Sequence, residues 1–129
     1  NISTKNMNNF AFLDDSLIKK DGLSIYSHAL VFDEEDIETI VFTGNNKEIY
    51  SNEKQIISFL ENNLTIDTNL ILCRHYSQYS NFNKIKNRIY YQFVDEEIFD
   101  LKKKYFKKMF TLAHHSAKKV AKDYLITKI

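Results

Sequence analysis

A chain of 129 residues with 43% hydrophobic side chains has the size of one domain, large enough to bury roughly two-thirds of the surface its unfolded form exposes. Its single cysteine, Cys73, excludes an internal disulfide, and no apolar run approaches the roughly 18 residues that a membrane span needs. Lysine and arginine number 18 against 17 acids, so net charge by itself selects no partner.

Residues 1–9 are polar and Asn-rich without the apolar core of a signal peptide, and are expected to form a flexible segment ahead of a single domain over 10–129. The chain reads as soluble and intracellular, or as a piece of a larger polypeptide or complex, with no membrane partner.

"FAFLDDSLI" (10–18) predicts a strand with Phe10, Phe12 and Asp14 on one face and Ala11 and Leu13 on the other, by the period-two rule. "LSIYSHALVF" (23–32) and "IETIVFTG" (37–44) flank a charged turn, so the first half is an antiparallel meander. His28 is then a strand histidine. The period changes after "NNKEIY". Ser51 or Asn52 can cap a helix over 53–63 whose stripe is Glu53, Ile57, Leu60 and Leu64. Glu53 stands at its N-terminus, where the helix dipole favours a negative charge.

"NLILCR" (69–74) is a fourth strand, burying Cys73 as a small hydrophobe with no partner to make it a nucleophile. The remainder predicts a short helix over 77–87, a longer one over 90–104, a fifth strand "YFKKMFTLA" (105–113) and a final helix 116–129 with Val120, Ala121, Tyr124 and Leu125 inward. One long basic helix over 95–129 is the alternative. Tyr90, Tyr91 and Phe93 read as core, and adjacent His114 and His115 lack the spacing of a zinc site. The fold class is α/β: a mixed five-stranded sheet, strands 1 to 3 antiparallel, then parallel strands 4 and 5, with helices on its faces.

Charge is unevenly placed. Asp33, Glu34, Glu35, Asp36 and Glu38 cluster early, whereas lysines and Arg88 load the last third, where a basic surface can follow a phosphate backbone. Asp14, Glu53 and Asp123 sit on three separate elements, as ligands of two Mg²⁺ ions about 4 Å apart would have to.

In this order the residues resemble the compact ribonucleases H of retroviral reverse transcriptases. "FLDDSL" is similar to the family's aromatic-x-Asp-Gly-Ser, with Asp15 in place of Gly. "NNKEIYSNEKQIISFLENN" supplies the catalytic Glu as Glu53. "HYSQY" keeps Ser77, Gln78 and Tyr79 of the family's Asp-Ser-Gln-Tyr, and "AHHSAKKVAKDYL" offers His114 or His115, then Asp123 and Leu125. Where the family has its third metal-binding Asp this chain has Tyr76, beside His75, and the final loop lacks the family's Gly and Asn.

The resemblance implies Asp14 as bridging ligand, Glu53 and Asp123 as outer ligands, His75 as a substitute ligand and His115 or His114 as a proton shuttle. Mg²⁺ or Mn²⁺ is the implied cofactor, with Mn²⁺ favoured by an imidazole. Binding of RNA–DNA hybrid or structured nucleic acid, with hydrolysis of the RNA strand by a two-metal mechanism, is the implied activity. Gln78, Asn52, Lys84, Lys86 and Arg88 are the implied nucleic-acid contacts. The alternatives are a catalytically degenerate module that binds nucleic acid or a protein, or an unrelated small α/β interaction protein.

Overall fold

Both faces of β1 (Phe10–Lys20) are apolar over Phe10 to Leu13, as a central strand requires. The computed structural model describes residues 10–85, 88–91 and 103–127. It continues through β2 (Leu23–Val31), β3 (Ile37–Gly44), α1 (Asn46–Tyr50), α2 (Glu53–Asn63) and β4 (Asn69–Cys73). Two 3₁₀ turns (Arg74–Gln78 and Ser80–Lys84), β5 (Arg88–Tyr91) and α3 (Lys103–Thr127) complete it. The sheet order is β3-β2-β1-β4-β5, with the first three strands antiparallel and β4 and β5 parallel to β1, which is the expected layout.

The β1–β2 hairpin turns on Asp21 and Gly22, at φ 52° and 80°, the left-handed pair that matches strand twist. Gly44 at φ 147° starts the exit into α1. A Cβ there would collide with Glu48 Oε2, the carboxylate that closes the capping box with Asn45.

Period two decides which layer each β1 residue meets. Ala11 and Leu13 pack with Ile56 and Leu60 of α2, together with Leu70 and Leu72. Phe12 faces the other way, against Phe106 and Phe110 of α3 at ring distances of 5.3 and 5.5 Å. The α2 stripe is therefore centred on Ile56 and Leu60, with Ile57 and Leu64 at its half-buried flanks.

The fifth strand differs from its expected position. Residues 105–113 are helical, because Phe106, Met109, Phe110, Ala113, Ala117 and Ala121 recur at steps of three and four and make one buried stripe, which no strand could present. The sheet instead takes its last strand from Arg88–Tyr91, so Tyr90 belongs to β5 rather than a helix. The helix expected over 116–129 is the second half of α3, and the short helix expected over 77–87 is the 3₁₀ pair. Segment 1–9, Lys86, Phe93 and most of the helix expected over 90–104 lie outside the described residues. Among the described residues, no helix is long and apolar enough to cross a membrane.

Candidate metal centre

β1 outruns β4. The parallel register ends at Leu13 opposite Leu72, while the antiparallel register with β2 continues to Lys20. From Asp14 onward one edge of β1 is open, just where β4 leaves the sheet into the 3₁₀ segment. Asp14 and Asp15 begin on opposite faces, yet beside this notch both carboxylates reach the same space. His75, in the first 3₁₀ turn, reaches it from across. One ligand atom from each of Asp14, Asp15 and His75 lies within 4.8 Å of the others, the one such group of three found among the described residues.

The notch is tightly wired. Asp15 Oδ2 accepts from His75 Nε2 at 2.9 Å and from the Tyr26 hydroxyl at 2.5 Å, and Tyr26 lies 3.2 Å from the Tyr79 hydroxyl. Asp14 Oδ1 accepts the Asp15 backbone N–H at 2.8 Å. On the α3 side, His114 Nδ1 donates to the Asp15 carbonyl at 3.1 Å and stands 3.8 Å from Asp14 Oδ2. A backbone carbonyl can only accept, so Nδ1 is the donor in this contact.

Burial acts on every group here. It raises the Asp14 carboxyl, helped by the charge of Asp15 and only partly offset by hydrogen bonds from the Asp15 N–H and the Cys73 thiol. Burial would also raise Asp15, but the hydrogen bond and charge of His75, with the Tyr26 hydroxyl, outweigh it and hold Asp15 low. His75 loses some basicity to burial and regains more from its bond to Asp15 and the two carboxylates, ending above its usual value. Cys73 is pushed up by burial and by Asp14, so it remains a thiol that donates to that carboxylate.

Two carboxylates and an imidazole suit one borderline divalent ion, Mn²⁺ or Zn²⁺, better than Mg²⁺. His75 Nε2 faces Asp15 Oδ2 at 2.9 Å in a hydrogen bond, so an ion would have to displace the bridging proton and turn the ring for both atoms to ligate it.

The other expected site residues lie elsewhere. Glu53 opens α2, but its carboxylate accepts the Asn81 N–H at 2.7 Å and the Asn81 side-chain amide at 3.1 Å, clamping the second 3₁₀ turn. Asp123 follows His114 by nine residues, about 13 Å along α3, and is exposed. Neither joins Asp14 in the group of three. His115 is exposed beside Lys118, Lys119 and Lys122, so His114 is the histidine that faces the notch. Tyr76 does not face it: wholly buried, it stacks on Phe82 and lies 2.9 Å from His28 Nδ1.

Of the expected nucleic-acid contacts, Gln78 is exposed and lines a groove with Tyr50, Glu53, Tyr79 and Ser80, and Lys84 is exposed. Asn52 turns its amide back onto the Glu48 and Ile49 carbonyls, closing α1. Arg88 donates to the Phe82 carbonyl and lies over Tyr90, with its guanidinium 5.0 Å from the ring centre. Both are therefore structural. Asp15 and Tyr26 were not among the expected site residues. Adjacent acids on a strand should face opposite layers, and only the open edge of β1 lets both reach one point.

No protein-family model, curated protein or solved structure matches this chain.

Proposed function

We propose that this chain is a divergent ribonuclease H-like domain that binds nucleic acid and hydrolyses phosphodiesters, with RNA–DNA hybrid or structured RNA as substrate, using a divalent ion on Asp14, Asp15 and His75. One observation carries the reading: Asp14 stands on the central strand of a β3-β2-β1-β4-β5 mixed sheet, with a ligand atom within 4.8 Å of one from His75, in the turn that follows β4. The ion, when bound, would polarise a phosphoryl oxygen and acidify a bound water. The protein's own share is proton handling and orientation. When His114 is neutral its Nε2 is the proton acceptor, Tyr26 and Asp15 orient each other, and Cys73 orients Asp14.

A second reading is favoured by Tyr76. Its burial against His28 and Phe82 leaves that position without a carboxylate, as in a module that keeps nucleic-acid binding after losing hydrolysis. Incubating a short RNA–DNA hybrid with the protein and Mn²⁺ separates the two. Cleavage abolished by Asp14→Asn supports hydrolysis, and salt-sensitive binding without cleavage supports the binding module. Neither binding nor cleavage rejects both.

A further inference from the structure

We infer that the outer face of α3 is a track for the phosphate backbone of a nucleic acid, delivering it to the notch at Asp14. The inference deepens the reading above by assigning the polyanion surface to elements other than Lys84 and Arg88. It rests on sign segregation. Lys104, Lys107, Lys108, Lys118, Lys119 and Lys122 are all exposed, and the one acid among the described residues of α3 is Asp123.

A helix that merely faces water gains from opposite charges at i,i+4 and loses from like charges at that spacing. Here Lys104 with Lys108 and Lys118 with Lys122 are like pairs against the opposite pair Lys119 with Asp123, and Glu34 offsets Lys108, so the repulsion that a bound polyanion would relieve is concentrated at Lys118 and Lys122. From Lys104 to Lys122 the face runs about 27 Å along the helix axis.

Placement gives the track a direction. In helical projection His114 falls between the buried alanine stripe and the lysine face, and its imidazole reaches Asp15 and Asp14. His115, Lys118, Lys119 and Lys122 then line a groove next along the same helix, with Asp123 and Ile126 at its far end. Toward the helix start Glu34, from the acidic β2–β3 loop, pairs with Lys108, so that loop's negative charge interrupts the face there and leaves its C-terminal part the more basic. A backbone is therefore best accommodated over Lys118, Lys119 and Lys122, within reach of His114.

The test is hybrid binding by the full chain at several salt concentrations, comparing the parent with K118E/K119E/K122E and K118Q/K119Q/K122Q. Removing three phosphate contacts should weaken binding at least tenfold at low salt and lower the log–log salt slope by about 2 to 3. Mn²⁺ affinity and helical circular dichroism should not change in the glutamine variant, which decides the matter if the glutamate variant does not fold. Parental affinity and slope in the glutamine variant would overturn the track. So would binding of the parent to anionic lipid vesicles but not to hybrid. Lysine-dependent binding without cleavage would leave the track standing and remove hydrolysis, whereas cleavage indifferent to these lysines would do the reverse.

Discussion

Asp15 and His75 lie 60 residues apart in the chain and meet with 2.9 Å between Oδ2 and Nε2. The contact exists because β1 runs past the end of β4, leaving a gap into which the 3₁₀ turn folds its histidine. When His75 is protonated the pair is a hydrogen-bonded ion pair. A divalent ion at this site would take the same two atoms as ligands in place of the proton.

Metal affinity should therefore rise with pH. His75 is raised above its usual value of 6.5, so its proton persists to higher pH and must leave before Nε2 can bind an ion. Mn²⁺ titrations at pH 6 and pH 8 should show tighter binding at the higher value, with proton release. The same affinity at both would mean that His75 is not a ligand. The ion pair itself contributes little stability, at most about 1 kcal/mol for so exposed a histidine. His75's share is present below its unfolded value and lost as pH rises through the raised folded one.

Restoring a carboxylate should succeed at one of two neighbouring positions. His75→Asp places a third acid opposite Asp15 and should shift ion preference from Mn²⁺ toward Mg²⁺, read by isothermal titration with each metal. Tyr76→Asp instead puts a charge into the space of a fully buried ring. It should cost more than about 4 kcal/mol in urea unfolding, by cavity formation and by an unpaired buried carboxylate. Mg²⁺ binding gained by the Tyr76 variant in a folded protein would contradict the geometry.

Glu53 and Asp14 should respond oppositely. Asp14→Asn is expected to lower Mn²⁺ affinity at least tenfold with little change in stability, since it removes a charged ligand. Glu53→Ala leaves the Asn81 N–H and amide without their acceptor and should cost about 1 to 3 kcal/mol while metal affinity stays within twofold. A large loss of metal affinity in the Glu53 variant would reinstate it as a ligand.

His28 should govern part of the acid limb of stability. It is fully buried in β2, its Nε2 has no partner, and burial lowers its pKa from 6.5 to about 4. The unfolded chain thus takes up a proton that the folded chain refuses, and stability falls as pH drops from about 6.5 toward 4. The span corresponds to about 3 kcal/mol. Asp15 faces His28 across the β1–β2 register and draws it upward, while His75 opposes that, and neither reverses the sign. His28→Phe should flatten this limb in urea unfolding between pH 7 and 4, at the cost of the Tyr76 hydroxyl's partner. An unchanged slope would show that His28 does not set it.

The layers of this protein were legible in its sequence because they follow from periodicity. Alternation at Phe10 to Leu13 placed Phe12 and Leu13 on opposite faces, β3 was read to its exact ends, and α2 was found from its apolar steps and the capping position before Glu53. The fifth strand escaped because four residues of Arg-Ile-Tyr-Tyr are too short for a period, while "YFKKMFTLA" holds β-forming aromatics whose helical spacing outweighs their propensity. The centre was half legible. Asp14, His75 and His114 are recognisable as chemistry-bearing residue types near element ends. The grouping of Asp14 and His75 with Asp15, and the approach of His114, depend on where one strand outruns its neighbour and how α3 is rotated over the sheet. Those are properties of packing between elements distant in the chain, and no local pattern encodes them.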